Sequence, residues 1–355
     1  MKKVVSFSGG RTSAYLCYLM KEKYGDEVDF IYMDTGAEHE KTYEFIRKVN
    51  DEFGLNLTCL RTDFSSPLGA GNGFTVVDIN SISPDLKPFS EMIYKYGVPY
   101  IGGMFCTDRM KLVPFNKYCK EKYPKTFWCD GIQKQGGTPA GNMFEEAGYE
   151  TWLGIRADEP KRVFGKKLYG KLKSTLGLSD SDLIDMYSTN HIDMEKFFVM
   201  EEPSECALFN EVCRRKRAGI RYMAEISDYD KQDVLDFWSN QDFDLDLPEH
   251  LGNCVFCPKK SDLKLAAAQR DESDFYHEFL TMLYSPSVRV DDKTGHYSKM
   301  YRGKQSLESL IAKFDGSTGE EIKARIRGGK MEASGSCSES CEVFACEANQ
   351  VDMFK

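Results

Sequence analysis

The sequence predicts an α/β protein built on a doubly wound, mostly parallel sheet with a helical C-terminal region, and three observations carry that prediction. Short apolar runs alternate with helix-periodic stretches in a β-α-β-α-β order over residues 4–61. The first run ends in Gly9-Gly10 and the second in Asp34-Thr35-Gly36, turn residues at the strand ends where a parallel sheet places its binding loops. From about residue 180 to residue 290 the apolar spacing reads as helices around two cysteine-bearing loops.

Residues 4–8 (Val-Val-Ser-Phe-Ser) have the character of a short buried strand, and helical periodicity runs from Thr12 to about Tyr24. Val28 to Met33 is the second strand. Tyr43, Phe45, Ile46, Val49 and Phe53 define a helix over 40–53, and Leu55 to Arg61 is the third strand. The Gly/Ser/Pro-rich stretch 63–103 is expected to be a long loop carrying one helix, Phe89 to Tyr96, as a lid over the site. A helix around 107–122, a strand near Thr126 to Asp130 and another near Thr151 to Ile155 follow. The expected organisation is an α/β domain over 1–165, a mostly helical region with a Cys-x-x-Cys pair over 166–330, and a Cys/Ser/Glu-rich tail over 331–355.

At 355 residues, 41% apolar, the chain can bury a substantial core. No run of 18 apolar residues appears and the segment Met1 to Gly10 lacks the features of a signal peptide, so a cytoplasmic protein without a membrane span is expected. Twelve cysteines in a reducing compartment point to burial, metal or cluster ligation, or catalysis rather than disulfides. A net charge of -9 excludes a protein coated in positive potential, so nucleic-acid contact requires local basic patches.

Ser8-Gly9-Gly10-Arg11-Thr12-Ser13 stands where a strand hands over to a helix, so backbone N–H groups and the helix N-terminus can converge on phosphate oxygens. The hydroxyls of Ser8, Thr12 and Ser13 add donors, and Arg11 adds a positive charge. The Gly-Lys-Ser/Thr ending of a Walker A loop is missing. The hexapeptide resembles the loop of the PP-loop ATP pyrophosphatase superfamily, whose usual form is Ser-Gly-Gly-Lys-Asp-Ser; Arg11-Thr12 stands at the Lys-Asp positions. Asp34-Thr35-Gly36-Ala37-Glu38 resembles the Asp-Thr-Gly-x-Glu turn of the sulfonucleotide-reductase branch of that superfamily. Gly154-Ile155-Arg156-Ala157-Asp158-Glu159-Pro160-Lys161-Arg162 resembles the same branch's Gly-x-Arg-x-Asp-Glu-x-x-Arg segment, in which arginines clamp phosphate and carboxylates organise Mg²⁺.

Cys254-Val255-Phe256-Cys257 has the spacing that turns two thiolates toward one metal, zinc or iron–sulfur. Cys106 precedes a helix whose positive end lowers a thiol pKa or favours an anion. Its segment, with Lys111 and Pro114, resembles the Cys-Thr…Leu-Lys-x-x-Pro element of the same branch. The resemblance implies a cluster held by Cys106, Cys254 and Cys257, with Cys341 or Cys206 as fourth ligand. The reductases' Glu-Cys-Gly-x-His nucleophile is missing around Cys337, Cys341 and Cys346. Cys17, Cys59, Cys119, Cys129 and Cys213 read as packing residues.

The resemblance therefore implies the adenine nucleotide alpha hydrolase-like fold, closest to the PAPS reductase-like ATP pyrophosphatases of DNA phosphorothioation systems (DndC and SspD types) and phage-encoded relatives. It implies ATP cleavage to AMP and pyrophosphate, with Mg²⁺ and a 4Fe–4S cluster or zinc, a cysteine desulfurase as sulfur donor, and DNA as acceptor. The chain is expected as a homodimer or part of a multi-protein complex. Arg11, Ser13, Asp34, Cys106, Arg156, Asp158 and Arg162 are the expected catalytic residues. Ser8, Gly9, Gly10, Thr12, Thr35, Gly36, Glu38, Gly154 and Glu159 join Arg11, Ser13, Asp34 and Arg156 in binding the nucleotide. The run Arg214-Arg215-Lys216-Arg217 with Arg221, and the stretch 161–173, are candidate DNA contacts or solvated faces. A sulfonucleotide reductase and a nucleotide-sensing assembly subunit are the alternatives. The five histidines show no metal spacing.

Overall fold

The computed structural model describes residues 1–100, 104–129, 143–146, 148–189, 195–198, 202–290, 301–302 and 305–328. Its centre is a six-stranded sheet in the order β4-β3-β2-β1-β7-β8, formed by β1 (Lys2–Phe7), β2 (Val28–Met33), β3 (Thr58–Asp63), β4 (Gly73–Val77), β7 (Tyr149–Leu153) and β8 (Ile220–Tyr222). Neighbouring strands are parallel except for the antiparallel edge pair β3 and β4. The expected mostly parallel, doubly wound sheet and helical C-terminal region are both present.

Period-two alternation splits the apolar side chains between two cores, one on each face of the sheet. Val5, Phe7, Phe30, Tyr32 and Trp152 face one core, where α1 (Arg11–Tyr24), α2 (Glu40–Glu52) and α3 (Lys87–Tyr96) pack with side chains between Val234 and Val288 and with Tyr301, Leu307, Leu310 and Ile311. Val4, Ile31, Met33, Leu60 and Leu153 face the other, covered by Phe115 and Cys119 of the helix Val113–Lys122 and by Leu208, Phe209 and Val212 of a helix at Pro203–Arg217.

Chain order moves outward from β1 in one direction to β2 and β3, then returns to β7 and β8 on the other side. The switch point therefore lies at the C-terminal end of β1, where adjacent connections diverge and a crevice opens. β8 draws on the chain beyond residue 165, so both sides of that position contribute to one sheet.

One expectation is corrected. The stretch 63–103 is not a long loop with a single helix, because Gly73–Val77 pairs with Asp63 to Cys59 as an edge strand. Five residues with an exposed Val76 give too little alternation to register in the sequence. The expected strand near Thr126 is present as β5 (Thr126–Cys129), which pairs antiparallel with β6 (Met143–Glu146) in a separate two-stranded sheet. The tail 331–355, with Cys337, Cys341 and Cys346, lies outside the described residues.

Asp29 ties β2 to its surroundings through Lys2 and Lys122, each at 2.9 Å, and through the Tyr123 hydroxyl. Burial raises its pKa, but the Tyr123 hydrogen bond and the two ammonium groups outweigh that and hold it at about 2. A depressed carboxyl stabilises the fold above its unfolded value near 3.8 and loses that contribution as pH falls toward 2. Asp29→Asn is therefore expected to lower the melting temperature at pH 7, with the gap from wild type narrowing between pH 3.8 and 2 in thermal melts.

Candidate functional site

The turn after β1 is shaped by its glycines. Gly9 has φ +80°, and a Cβ there would stand 3.0 Å from Thr42 Cγ2 and 3.1 Å from Ile46 Cδ1, so only glycine lets the loop lie against α2. Gly10 caps α1 in extended conformation with no side chain on the helix's first N–H groups, which leaves that positive end open to an anion. Ser13 is spent inside the loop: its Oγ is 2.7 Å from Ser8 Oγ, accepts the Ser8 N–H at 3.2 Å and donates to Gly10 C=O at 3.0 Å. It shapes the loop and does not line the cavity, whereas Ser8, Gly9, Gly10, Arg11 and Thr12 do.

Arg11 differs from expectation. Its guanidinium makes a bidentate pair with Asp244 at 2.7 and 2.8 Å and also donates to Leu245 C=O, so at the cavity rim a carboxylate occupies the place of an external anion. Trp238 Nε1 donates to Arg11 C=O at 3.0 Å, and Lys41 pairs with Asp246 at 2.8 Å. The chain around 238–248 is thus strapped across the phosphate loop, and Leu245, Leu247 and Pro248 supply an apolar wall.

Arg156, just beyond the end of β7, is nearly fully buried and lines the same cavity. Nη1 donates to Thr12 Oγ1 at 3.4 Å, while Nε and Nη2 hold Asp158 at 2.8 and 3.2 Å. Glu159 accepts from Arg162 at 2.7 Å and from the Arg156 N–H at 3.2 Å. Asp158, Glu159 and Arg162 do not line the cavity; they brace Arg156, and the two carboxylates direct their oxygens at arginines rather than at a position for Mg²⁺. Gly154 precedes this turn.

Asp34 is also internal. Its carboxylate accepts from Arg61 Nε at 2.7 Å, Gly36 N–H at 3.0 Å and Tyr43 Oη at 3.1 Å, which sets the Asp-Thr-Gly turn. Burial pushes its pKa up, and these partners offset part of the shift. Gly36, at φ +65°, admits no Cβ because Pro88 Cδ would lie at 2.7 Å. Glu38 is buried on the cavity wall, 3.7 Å from Lys111 Nζ, and burial raises its pKa against the pull of that lysine.

The turn and the Cys-x-x-Cys segment meet. Val255 N–H donates to Ala37 C=O at 2.9 Å, and Thr35 Oγ1 lies 3.7 Å from Cys254 Sγ. Tyr301 is buried and donates to Phe256 C=O; burial raises its pKa, and the thiols of Cys257, Cys254 and Cys106 push it the same way. Lys260 donates to His250 and Val255 carbonyls, and burial pushes its pKa down to about 8 although Cys257 and Cys254 oppose the shift. Among the described residues, no three or more His, Cys, Asp or Glu side chains converge on a metal position. Cys341 lies outside the described residues, and Cys206 is on the helix Pro203–Arg217, whose buried side packs into the core on the opposite face of the sheet from Cys254. Cys59 and Cys119 are buried with thiol pKa values raised by desolvation, as packing residues are.

Sequence reasoning missed Thr42, Lys231, Asp244 and the apolar wall. Lys231, at the start of a helix running to Ser239, adds positive charge to the cavity beside Arg156. The basic run is less available than its sequence suggests. Arg214 and Arg215 share Glu211, Lys216 is half-buried against the Tyr187 and Thr189 carbonyls, and Arg221 pairs with Glu150 and Glu225. No described helix is long and apolar enough to cross a membrane.

The profile of the phosphoadenosine phosphosulfate reductase domain matches residues 2–67, the stretch holding the phosphate loop and the Asp-Thr-Gly turn. The uncharacterized nin region protein ORF290 of Escherichia phage lambda is 38% identical over 349 residues, 97% of this chain and 96% of its own length. Two uncharacterized proteins of Methanocaldococcus jannaschii, MJ0973 and MJ0066, are 29% and 26% identical over 36% and 34% of the chain, which spans only 25% and 20% of theirs. No solved structure matches. With the phosphate loop at the sheet's switch point and a phage relative aligned along almost its whole length, the chain belongs to one family with the nin region protein ORF290, and its residues 2–67 carry a phosphoadenosine phosphosulfate reductase-like domain.

Proposed function

We propose that the protein is an ATP pyrophosphatase that binds ATP on the Ser8–Ser13 loop and activates an acceptor oxygen by its attack on the α-phosphorus, releasing pyrophosphate. The single observation behind this reading is the loop geometry: an uncapped helix N-terminus and glycine-shaped turn at the switch point, facing Arg156 and Lys231 across one cavity. The sequence has no Walker lysine there to serve β/γ cleavage. Arg156 and Lys231 would hold the phosphates, with Mg²⁺ arriving on the nucleotide, and Arg11 would exchange Asp244 for a phosphate oxygen. Positioning and electrostatics supply most of such catalysis.

The test is chromatography of products from labelled ATP. AMP and pyrophosphate are expected; ADP and phosphate as the main products would overturn the assignment.

The adenylated oxygen is then replaced by sulfur from a cysteine desulfurase, and DNA is the proposed acceptor, as in phosphorothioate modification. The paired state of Arg214, Arg215 and Arg221 means that DNA has to compete with Glu211, Glu150 and Glu225 for any contact there. Phosphorothioate dinucleotides in nuclease-digested DNA that persist unchanged when the gene is deleted would end this part of the proposal. The profile match favours a second reading, a sulfonucleotide reductase, which thioredoxin-dependent sulfite release would reveal.

Cys106, Cys254 and Cys257, completed by Cys341, are the proposed ligands of a 4Fe–4S cluster or zinc; since no three of the described side chains converge on one position, they would have to close around the ion as it binds. Protein purified without oxygen is expected to carry stoichiometric iron or zinc, and Cys254→Ser and Cys257→Ser each to lose it, because a hydroxyl replaces a thiolate poorly. Elemental analysis checks this, and metal-free wild type would make the pair structural.

A further inference from the structure

We propose that Glu38 and Thr42 read the ribose hydroxyls of the bound nucleotide, which makes the chain selective for an adenylate with a free diol over one carrying a 3′-phosphate; the inference rests on the ATP reading above. Both residues line the cavity with the phosphate loop. Glu38 is fully buried, yet neither carboxyl oxygen has a hydrogen-bond partner, and Thr42 Oγ1 is likewise unpartnered. The Tyr32 hydroxyl is near enough to Glu38 to draw its pKa down as a hydrogen-bond donor would, but it lies outside hydrogen-bonding geometry, and Tyr32 Oη is itself unpartnered. Buried polar atoms are almost always satisfied, and leaving a carboxylate unsatisfied is costly, so such oxygens on a cavity wall point to a ligand.

The surroundings select the ligand's chemistry. Lys111 Nζ lies 3.7 Å from Glu38 Oε1 and Lys260 adds a second positive charge acting on the same carboxyl, so a further cation would meet two ammonium groups. A phosphate would meet the carboxylate itself. Uncharged hydroxyls avoid both conflicts: a carboxylate accepts from one, and a threonine hydroxyl can exchange a hydrogen bond with the other. The placement also suits the sugar. Glu38 follows β2, the position from which an acidic side chain in doubly wound sheets takes a ribose hydroxyl, and Thr42 is packed against Gly9 of the phosphate loop.

The test is calorimetric binding of ATP, 2′-deoxyATP, 3′-deoxyATP and 3′-phosphoadenosine-5′-phosphosulfate to the full chain, in wild type, Glu38→Gln and Thr42→Val. Wild type is expected to bind ATP at least about 10-fold more tightly than one of the deoxy analogues and than the 3′-phosphorylated nucleotide. Glu38→Gln is expected to erase those preferences, weakening ATP while sparing the deoxy analogue. Equal binding of ATP and both deoxy analogues by wild type overturns the proposal, as does tightest binding of the 3′-phosphorylated nucleotide. So does a Glu38→Gln protein whose discrimination is intact and whose turnover or Mg²⁺ requirement alone has changed. If Glu38→Gln does not fold, the four wild-type affinities decide. Loop-dependent but equal binding of all four sinks only this subsite; no binding of any of them sinks the ATP reading as well.

Discussion

Gly9→Val is expected to weaken ATP binding by at least about 100-fold. The φ of +80° at this position costs an L-residue roughly 1–2 kcal/mol, and the added Cβ would stand 3.0 Å from Thr42 and 3.1 Å from Ile46. Ile46 is fully buried and Thr42 almost so, both on α2, so neither side chain has room to retreat and the loop must move instead. Displacing the loop takes its N–H groups away from the phosphates, and each hydrogen bond to a charged group is worth about 1.5–3 kcal/mol. A matched control exists in Gly25, which has φ +55° with open space around it. Gly25→Val carries backbone strain without the collision and should leave ATP affinity at the wild-type value. Calorimetry on both proteins, with circular dichroism to establish folding, separates loop displacement from general destabilisation; wild-type affinity in folded Gly9→Val would remove the loop from the site.

Arg156→Ala is expected to combine a similar loss of ATP affinity with a loss of stability. Arg156 is 5% exposed and bridges Thr12 of the loop to Asp158, so its removal strips a charge from the cavity and leaves Asp158 without its partner, while Glu159 keeps Arg162 at 2.7 Å. Asp158 is 39% exposed, so water takes over much of its hydrogen bonding and the expected loss of stability is about 1–3 kcal/mol. Arg156→Lys keeps the charge but cannot hold Asp158 in a fork, so it should recover part of the affinity and little of the stability. Denaturant melts and nucleotide titrations on the two variants check this. Equal ATP affinity in wild type and Arg156→Ala would make Arg156 a structural brace alone.

The Asp34 case shows how a correct turn can hide a misplaced role. Asp-Thr-Gly at the end of β2 marks the sheet's binding edge, and the sequence places it there. Asp34 then proves to be saturated by Arg61, Tyr43 and Gly36, while Glu38, four residues on, faces the cavity with unsatisfied oxygens. Which carboxylate is internal depends on Arg61, whose side chain reaches Asp34 only after β2 and β3 have paired.

What the sequence by itself determined is what local rules govern. Alternation, helical spacing and Gly-Gly after an apolar run set the strands, the helices and the phosphate loop, because each depends on neighbours a few positions away. Only the tertiary structure decided where the long side chains go. Arg11 meets Asp244 across 233 positions, Thr35 approaches Cys254 across 219, and Arg156 reaches Thr12 across 144. Such contacts carry no periodic signature, since a guanidinium pairs with whichever carboxylate the fold brings within about 3 Å. The apolar wall of Leu245, Leu247 and Pro248 was hidden for the same reason: its residues resemble any other loop residues until the strap lies across the phosphate loop, where Arg11–Asp244 and Lys41–Asp246 hold it.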